Sequence, residues 1–555
     1  MKRFVTTVLT FIIPSISLAL IGCADIGTPA QEPNDTAKES IVRAYDIPSG
    51  VSAYDGAQVF VGKTRLPVYS VQVNTSQNWS GSSFTRTENG VCMFELDGVA
   101  EVTVKPDVQI DYSSTVRPLS AKITPIADIQ NNALKFTVKS AGEYVLEVNG
   151  DKHNAIHFFV SDYDNAGSSQ YDGYDNVMVF DAGLHTAAND KRINPNNNNC
   201  INIPSNTLVY LADGAVVRGR FYAQNATNIG IAGRGIIDGS AFVRDANRNI
   251  VTVPMEFNYC NNVRLKDFFV LDPAGWTLSA YFNESVDIDN IKIISSRSNG
   301  DGISIQSCKD VNVSGCFVRT WDDSLVVKNY PMWSDRTHYG ETENISFNDC
   351  TLWTDLAQSM ELGYETVGTK FENVRFENIT VLHALHLAPI SIHNANNAEI
   401  KDVTFKNITI EDCAVPAANV GIIDFRVLYS STWSDQHTAP TPLGNITGVT
   451  VENVKVVSAK KFTAYMGGCR DTRVGFESDH YVSDVTIKNV EVASTRPTIN
   501  DCTIRKTGEK YLKDFDFVQE ASVPVTGATF TPSQSDEKLA QYGDACKVRI
   551  VARPN

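Results

Sequence analysis

Beyond its N-terminus, this sequence of 555 residues lacks any apolar run long enough to cross a bilayer. A spanning helix needs about 20 such residues, so no second helical membrane anchor is expected. Positive charge is also short: 48 Lys and Arg stand against 64 Asp and Glu, a formal net charge of −16. A surface of that sign repels phosphate backbones, which excludes nucleic acid as a partner. It offers no general attraction for a highly anionic polysaccharide either. The 11 cysteines show neither zinc-ligand spacing nor a paired disulfide framework, and no motif calls for a metal or a cofactor.

The N-terminus is a targeting segment. Lys2 and Arg3 precede an almost wholly apolar stretch from 4 to 21, followed by Leu20-Ile21-Gly22-Cys23. This build is that of a secretory signal, and a small residue before Cys resembles the lipobox of bacterial lipoproteins. It implies cleavage after residue 22 and lipidation of Cys23. Ala24 in place of Asp gives no signal for inner-membrane retention. The expectation is an exported lipoprotein of the outer membrane or periplasm, or of the cell surface, touching the membrane only through its lipid.

Residues 23–42, rich in Pro, Thr, Asp, Glu and Gln, read as a flexible tether. From 43 to 165 short β-type runs such as Ala57-Gln58-Val59-Phe60-Val61 and Tyr144-Val145-Leu146-Glu147-Val148 alternate with turns, the pattern of a small β-sandwich. Residues 516–555 form a C-terminal segment.

Residues 170–515 carry a degenerate ten-residue motif. Eight copies start at 261, 284, 309, 343, 372, 401, 447 and 483, spaced 23 to 46 residues apart, with a weaker ninth at 227–236. Positions 3 and 5 are apolar between polar neighbours, so one strand face is buried. Position 7 is Asp or Asn in seven of the eight copies, with Gly315 in the other; these residues tolerate left-handed backbone at a turn. Positions 8 and 10 are apolar again, so a second strand follows the bend. Cys316 and Cys350 share position 8, which reads as reduced core cysteine. A unit that cannot bury its own face must stack on its neighbours, and irregular spacing fits coils separated by loops of varying length. The expected fold is all-β: a right-handed parallel β-helix preceded by the sandwich.

Between repeats stands Asn299-Gly300-Asp301-Gly302-Ile303-Ser304-Ile305, and one coil later Thr320-Trp321-Asp322-Asp323-Ser324-Leu325-Val326-Val327-Lys328. Aligning the inward residues Ile303 and Ile305 with Leu325 and Val327 stacks Asp301 on Asp323, with Asp322 one residue earlier. Neighbouring strands lie about 4.8 Å apart, so three carboxylates crowd one patch and at least one pKa rises. A proton donor beside a water-activating carboxylate is what glycoside hydrolysis needs.

These residues resemble the β-helical glycoside hydrolases of the pectate-lyase-like superfamily. They are similar to polygalacturonases (family 28), with an Asp-Gly segment and then an Asp-Asp pair 21 residues on, and to the dextranase and isopullulanase group (family 49), which has a sandwich ahead of the helix. Gly214-Ala215-Val216-Val217-Arg218-Gly219 and Gly233-Arg234-Gly235-Ile236-Ile237-Asp238-Gly239 resemble the opening coils of both. The resemblance implies an inverting mechanism with Asp322 as general acid and Asp301 with Asp323 holding the water. The coils after the pair depart from polygalacturonases. Ala357-Gln358-Ser359 stands where they have Gly-His-Gly, and Ser391-Ile392-His393 where Arg-Ile-Lys binds the substrate carboxylate. Without those basic groups a neutral polysaccharide or oligosaccharide is expected.

Around the aspartates, Trp276 falls one coil before Asp301, where an aromatic ring stacks a sugar. Lys328 projects outward after the pair and binds sugar hydroxyls or tunes the aspartates. Gln358, Glu361, His393 and Arg426 lie on later strands as cleft lining. Trp321, Trp333, Trp353 and Trp433 fall in or near inter-strand loops, at least one of them in contact with sugar. Two other readings remain open from sequence: a non-catalytic glycan-binding protein of the envelope and a polysaccharide lyase.

Overall fold

The computed structural model describes residues 38–76, 86–164, 167–243, 253–329, 340–414, 421–434, 440–459, 461–501, 503–506, 509–520, 522–530, 533–542 and 548–550. The signal segment, Cys23 and Trp333 lie outside them. Residues 39–555 form one compact unit. No helix among the described residues is long and apolar enough to cross a membrane.

The repeat builds a parallel β-helix. Each coil contributes two strands to a 19-stranded sheet that follows the bend, and a third to an 11-stranded sheet running alongside. Strands Asn261–Lys266, Glu284–Asp289 and Lys309–Ser314 pair in parallel, with Val263 on Val286 and Val286 on Val311. Side chains at positions 3, 5, 8 and 10 point inward and form one continuous core from Phe180 to Leu512. Cys316 and Cys350 sit in that core as free thiols.

The turn at position 7 is left-handed in all eight copies, with φ between +53° and +72°. Position 2 is left-handed too, from +52° to +71°, which sequence reading did not anticipate although Asn, Asp or Ser occupies it in seven copies. Stacking converts these turns into amide ladders. Asn407 donates to Asn378 and Asn453 to Asn407, both at 2.9 Å, and Asn373 donates to Asn344 at 2.7 Å. Each ladder satisfies polar groups that the apolar coils cannot.

Ahead of the helix, a seven-stranded and a five-stranded sheet enclose a second core around Val59, Phe94, Val102, Phe136 and Phe158. The first strand is Ser40–Arg43, so residues 40–42 belong to the sheet instead of the expected tether. It is buried against Arg86–Asp97 and pairs on its other side with Val548–Ile550, which brings the C-terminal segment back to the sandwich.

The seven-stranded sheet is apolar on both faces. Its outer face (Tyr69, Val71, Val73, Val91, Val145, Phe159) packs on a row from successive coils: Val216, Ile236, Phe269, Ile294, Phe317 and Trp353. Strand Tyr69–Asn74 runs across the stack. Gln72 N–H donates to Asp272 on one coil, Asn74 Nδ2 to the carbonyl of Ser296 on the next, and the carbonyl of Ser76 accepts from Trp321 Nε1 at 2.8 Å on the one after. The sandwich thus reaches the residue that precedes Asp322.

Candidate active site

The register expected from sequence is the one observed. Ile303 pairs with Leu325 and Ile305 with Val327, and Gly302 N–H donates to the carbonyl of Asp323 at 2.8 Å, so Asp301 and Asp323 occupy equivalent rungs. The glycines beside Asp301 permit this closeness. A Cβ on Gly302 would lie 2.4 Å from Val318 and 2.5 Å from the carbonyl of Ser324, and one on Gly300 would meet Ser295 Oγ at 2.2 Å.

All three aspartates are buried, at 2% (Asp301), 6% (Asp322) and 8% (Asp323) exposure, and each is held differently. Asp322 Oδ2 accepts from the backbone N–H of Asn299 at 2.9 Å, and its Oδ1 from that of Asp323 at 3.0 Å. Asp323 Oδ1 accepts from the N–H of Gln358 at 3.1 Å. Asp301 Oδ2 takes the ammonium of Lys328 at 3.2 Å. Beneath the pair, hydroxyls of Thr320, Ser324, Thr354 and Ser359 form a chain of 2.8 Å contacts, which fixes the rungs on which the carboxylates stand.

Burial raises the pKa of each carboxyl, and mutual repulsion adds to it. Asp322 is carried up to about 8, by burial first and by the charge of Asp301 second. Asp323 lies well above the carboxylate range, from burial and then from Asp322 and Asp301. Asp301 is raised by burial but pulled back by Lys328, so it is the member whose charge the site favours.

Lys328 is only 5% exposed. Its ammonium lies between Asp301 and Glu365, 3.4 Å from the latter, and 5.1 Å from the ring centre of Trp276. Burial alone would strip its proton, but Glu365 and Asp301 outweigh that and raise its pKa. Lys328, expected from sequence to project outward and bind sugar or tune the aspartates, is a buried cation set against Asp301. Glu365 was missed because the rungs slip here: Val327 pairs with Leu362 but Asn329 with Thr366. The bulge turns Glu365 toward Lys328.

Glu361, His393 and Arg426 stand on the outer face of the following rungs, where they bind one another. His393 Nδ1 lies 2.8 Å from Glu361 Oε1, Ser391 Oγ donates to Glu361, and Arg426 grips Asp424 with two bonds of 2.6 and 2.8 Å. Burial would lower the pKa of His393; Glu361 and Asp424 outweigh it and carry the ring up to about 9. Tyr364 stacks on His393 with centroids 4.3 Å apart, and Trp433 lies 5.6 Å beyond Tyr364.

Gln358 meets the triad through its backbone. Trp276 is one rung before Asp301, as Thr277 N–H donates to the carbonyl of Asp301. Trp321 and Trp353, two of the four tryptophans expected in or near inter-strand loops, are both fully buried. Trp321 is bonded to the sandwich, and Trp353 is packed under the guanidinium of Arg319, 3.7 Å from its ring centre.

Residues 196–510 match the sequence profile of glycosyl hydrolases family 28. A probable polygalacturonase from Vitis vinifera is 23% identical over 161 residues, 28% of this chain and 32% of that protein; the match thus spans about a third of the relative's length. Among solved structures, Dex49A from Penicillium minioluteum is similar over 86% of this chain and 96% of its own, with 14% identity and a TM-score of 0.49. A family 28 exopolygalacturonase from Yersinia enterocolitica is similar over 82% and 99%, with 13% identity and a TM-score of 0.44.

Proposed function

This chain belongs to glycosyl hydrolases family 28, and from that premise we propose that it hydrolyses a neutral glycan with inversion at the anomeric carbon. Asp322 gives its proton to the glycosidic oxygen as the bond to the anomeric carbon breaks. Asp301 and Asp323 hold a water on the opposite face, and its oxygen bonds to that carbon while the Asp301 carboxylate takes its proton. The observation that carries this reading is the asymmetry of the triad. Asp301 has a buried ammonium at 3.2 Å, whereas Asp322 and Asp323 have only backbone N–H partners and are both raised by burial and mutual repulsion, Asp322 to about 8. One carboxyl thus keeps its proton at neutral pH while another keeps its charge, the division of labour the chemistry requires.

The neutral substrate rests on the later rungs. Both cations there already have carboxylate partners: His393 lies against Glu361, and Arg426 against Asp424. A uronate carboxylate entering that row would meet Glu361 and Asp424 as well. Following the anomeric configuration of the first product by NMR tests the mechanism. A retained configuration overturns inversion, and unsaturated products absorbing in the ultraviolet would indicate a lyase instead.

Export as a lipoprotein belongs to the same reading, supported by Lys2, Arg3, the apolar stretch and Leu20-Ile21-Gly22-Cys23. Labelled palmitate should enter the wild type and not Cys23→Ser; equal labelling of both removes the anchor.

A further inference from the structure

A fully buried guanidinium sits where the sandwich meets the coil that carries the triad. The row facing the seven-stranded sheet reads Leu271, Ile294, Arg319 and Trp353 on successive rungs. Three of these belong to the apolar cluster between the domains. Arg319 brings a charge into it, on the strand that leads directly into Trp321, Asp322 and Asp323. The sandwich supplies its hydrogen bonds. Asn89 Oδ1 accepts from Nη1 at 3.1 Å, and the carbonyl of Lys152 accepts from Nη2 at 3.2 Å. His157 Nε2 lies 3.2 Å from Nη1. On the helix side stand Asp355, 3.4 Å from Nε, and the ring of Trp353.

These partners are themselves fixed. The Asn89 amide donates to the carbonyls of Glu88 and His153, which leaves its oxygen for Arg319. His157 Nδ1 donates to the carbonyl of Gly90 at 3.1 Å, so Nε2 is the bare acceptor. Burial, and then the charge of Arg319, hold that ring neutral, with its pKa down at about 3. A buried Arg–Asp pair contributes little net stability beside apolar residues of similar size, and the two preceding rungs use such residues. An ion on this coil therefore marks a constraint other than stability. That constraint shows in the backbone. The carbonyl of Thr320 accepts from Asp355 N–H at 2.8 Å, and its hydroxyl donates to the carbonyl of Asp322 at 2.6 Å. Past Asp355, Ala357 N–H donates to the carbonyl of Trp321, and the N–H of Gln358 holds Asp323 Oδ1. Arg319 and Asp355 thus pin together the turn that carries Asp322 and the turn that holds Asp323.

We propose that Arg319 is the positioning residue for the proton donor, and that the sandwich, by holding this guanidinium through Asn89, His157 and the carbonyl of Lys152, is a working part of the active site. The inference rests on the hydrolase reading above, with Asp322 as donor, and extends it to residues that touch no substrate. A guanidinium presents its N–H donors in a rigid fork, so one side chain engages Asn89, His157 and Lys152 on one domain and Asp355 on the other. Its removal unties the Thr320–Asp323 turn from both. A displacement of about 1 Å at a reacting group can cost about 100-fold in rate.

Variants on both domains test this. Arg319→Met combined with Asp355→Asn removes both buried charges and keeps an oxygen for Trp353 Nε1, which bonds to Asp355 at 2.9 Å. His157→Phe fills the same space among Phe159, Phe317 and Trp353 but removes the acceptor, and His157→Gln restores one. The first readout is release of reducing ends from α-glucan, galactan and arabinan. On the glycan that the wild type cleaves, kcat should fall about 10- to 100-fold in the double variant and several-fold in His157→Phe, with KM little changed and kcat recovered in His157→Gln. The second readout needs no substrate. A loosened turn admits water to Asp322, whose pKa the closed turn holds at about 8, so the fall in melting temperature between about pH 4 and 9 should flatten in the double variant. Wild-type kcat or a wild-type slope in that variant overturns the proposal and leaves the hydrolase reading standing. If the double variant does not fold, equal kcat in His157→Phe and His157→Gln overturns it. Failure of the wild type to cleave any of the three glycans removes the neutral-glycan reading, and the slope still decides whether Arg319 positions Asp322.

Discussion

Lys328 holds its ammonium 3.2 Å from a carboxylate oxygen of Asp301, inside a site where both are almost inaccessible to water. At this separation two opposite charges attract by about 5 kcal/mol at an effective dielectric of 20. Few other forces in the site are that large, so the ionisation of Asp301 depends on this contact.

Lys328→Met should therefore raise the pKa of Asp301, because the charged carboxylate loses its partner. The acid limb of the kcat profile should move to higher pH, and kcat near neutrality should fall about 10- to 100-fold. A profile that keeps its acid limb would show that Lys328 does not govern the base.

Asp322→Asn should lower kcat by about 10³-fold or more with the fold intact by circular dichroism. In the wild type the activity should decline as pH rises through about 8, where Asp322 loses its proton. Near-normal turnover in the variant would take Asp322 out of the donor role.

The same carboxyl makes stability depend on pH. Its folded pKa is raised from 3.8 to about 8, so the folded state binds the proton more tightly than the unfolded one. The stability from this group is complete below pH 4 and lost as pH rises through 8. The melting temperature should fall across that window in the wild type and fall less steeply in Asp322→Asn. Parallel curves would refute the shift.

Trp321→Phe keeps a ring but removes the N–H that bonds to Ser76 in the sandwich. A loss of about 1–3 kcal/mol is expected from one unmade bond and a smaller side chain, with a several-fold drop in kcat because the next residue is Asp322. Unchanged unfolding in urea would mean that the contact contributes nothing.

Asn407 tests the ladders. It is left-handed, with φ +57°, and bonds to Asn378 and Asn453. Asn407→Ala should lose both bonds and strain the turn, about 3 kcal/mol in all. Asn407→Gly should lose the bonds alone and be milder by about 1 kcal/mol. Equal losses would argue against the backbone contribution.

The features legible in sequence are those with a local period. Alternation of apolar residues at positions 3 and 5 set the strand faces, and Ile303 with Ile305 was enough to align Asp301 on Asp323. The position 7 turn could be read because Asp and Asn recur there. Glu365 could not, because a slipped rung carries no pattern. Trp321 and Trp353 were read as loop aromatics for a related reason. Their partners, Ser76 and the outer face of the seven-stranded sheet, lie far away in sequence, 245 residues for Ser76 and Trp321, and on a domain whose second apolar face does not show as alternation.

The pairing of Ser40–Arg43 with Val548–Ile550 also bears on how the protein is made. One neighbour of that strand, Arg86–Asp97, emerges from the ribosome within seconds. The other follows about 500 residues later, some 25–100 s at ordinary synthesis rates. For that interval the first-made layer carries an open strand edge, a template for unwanted pairing with another chain.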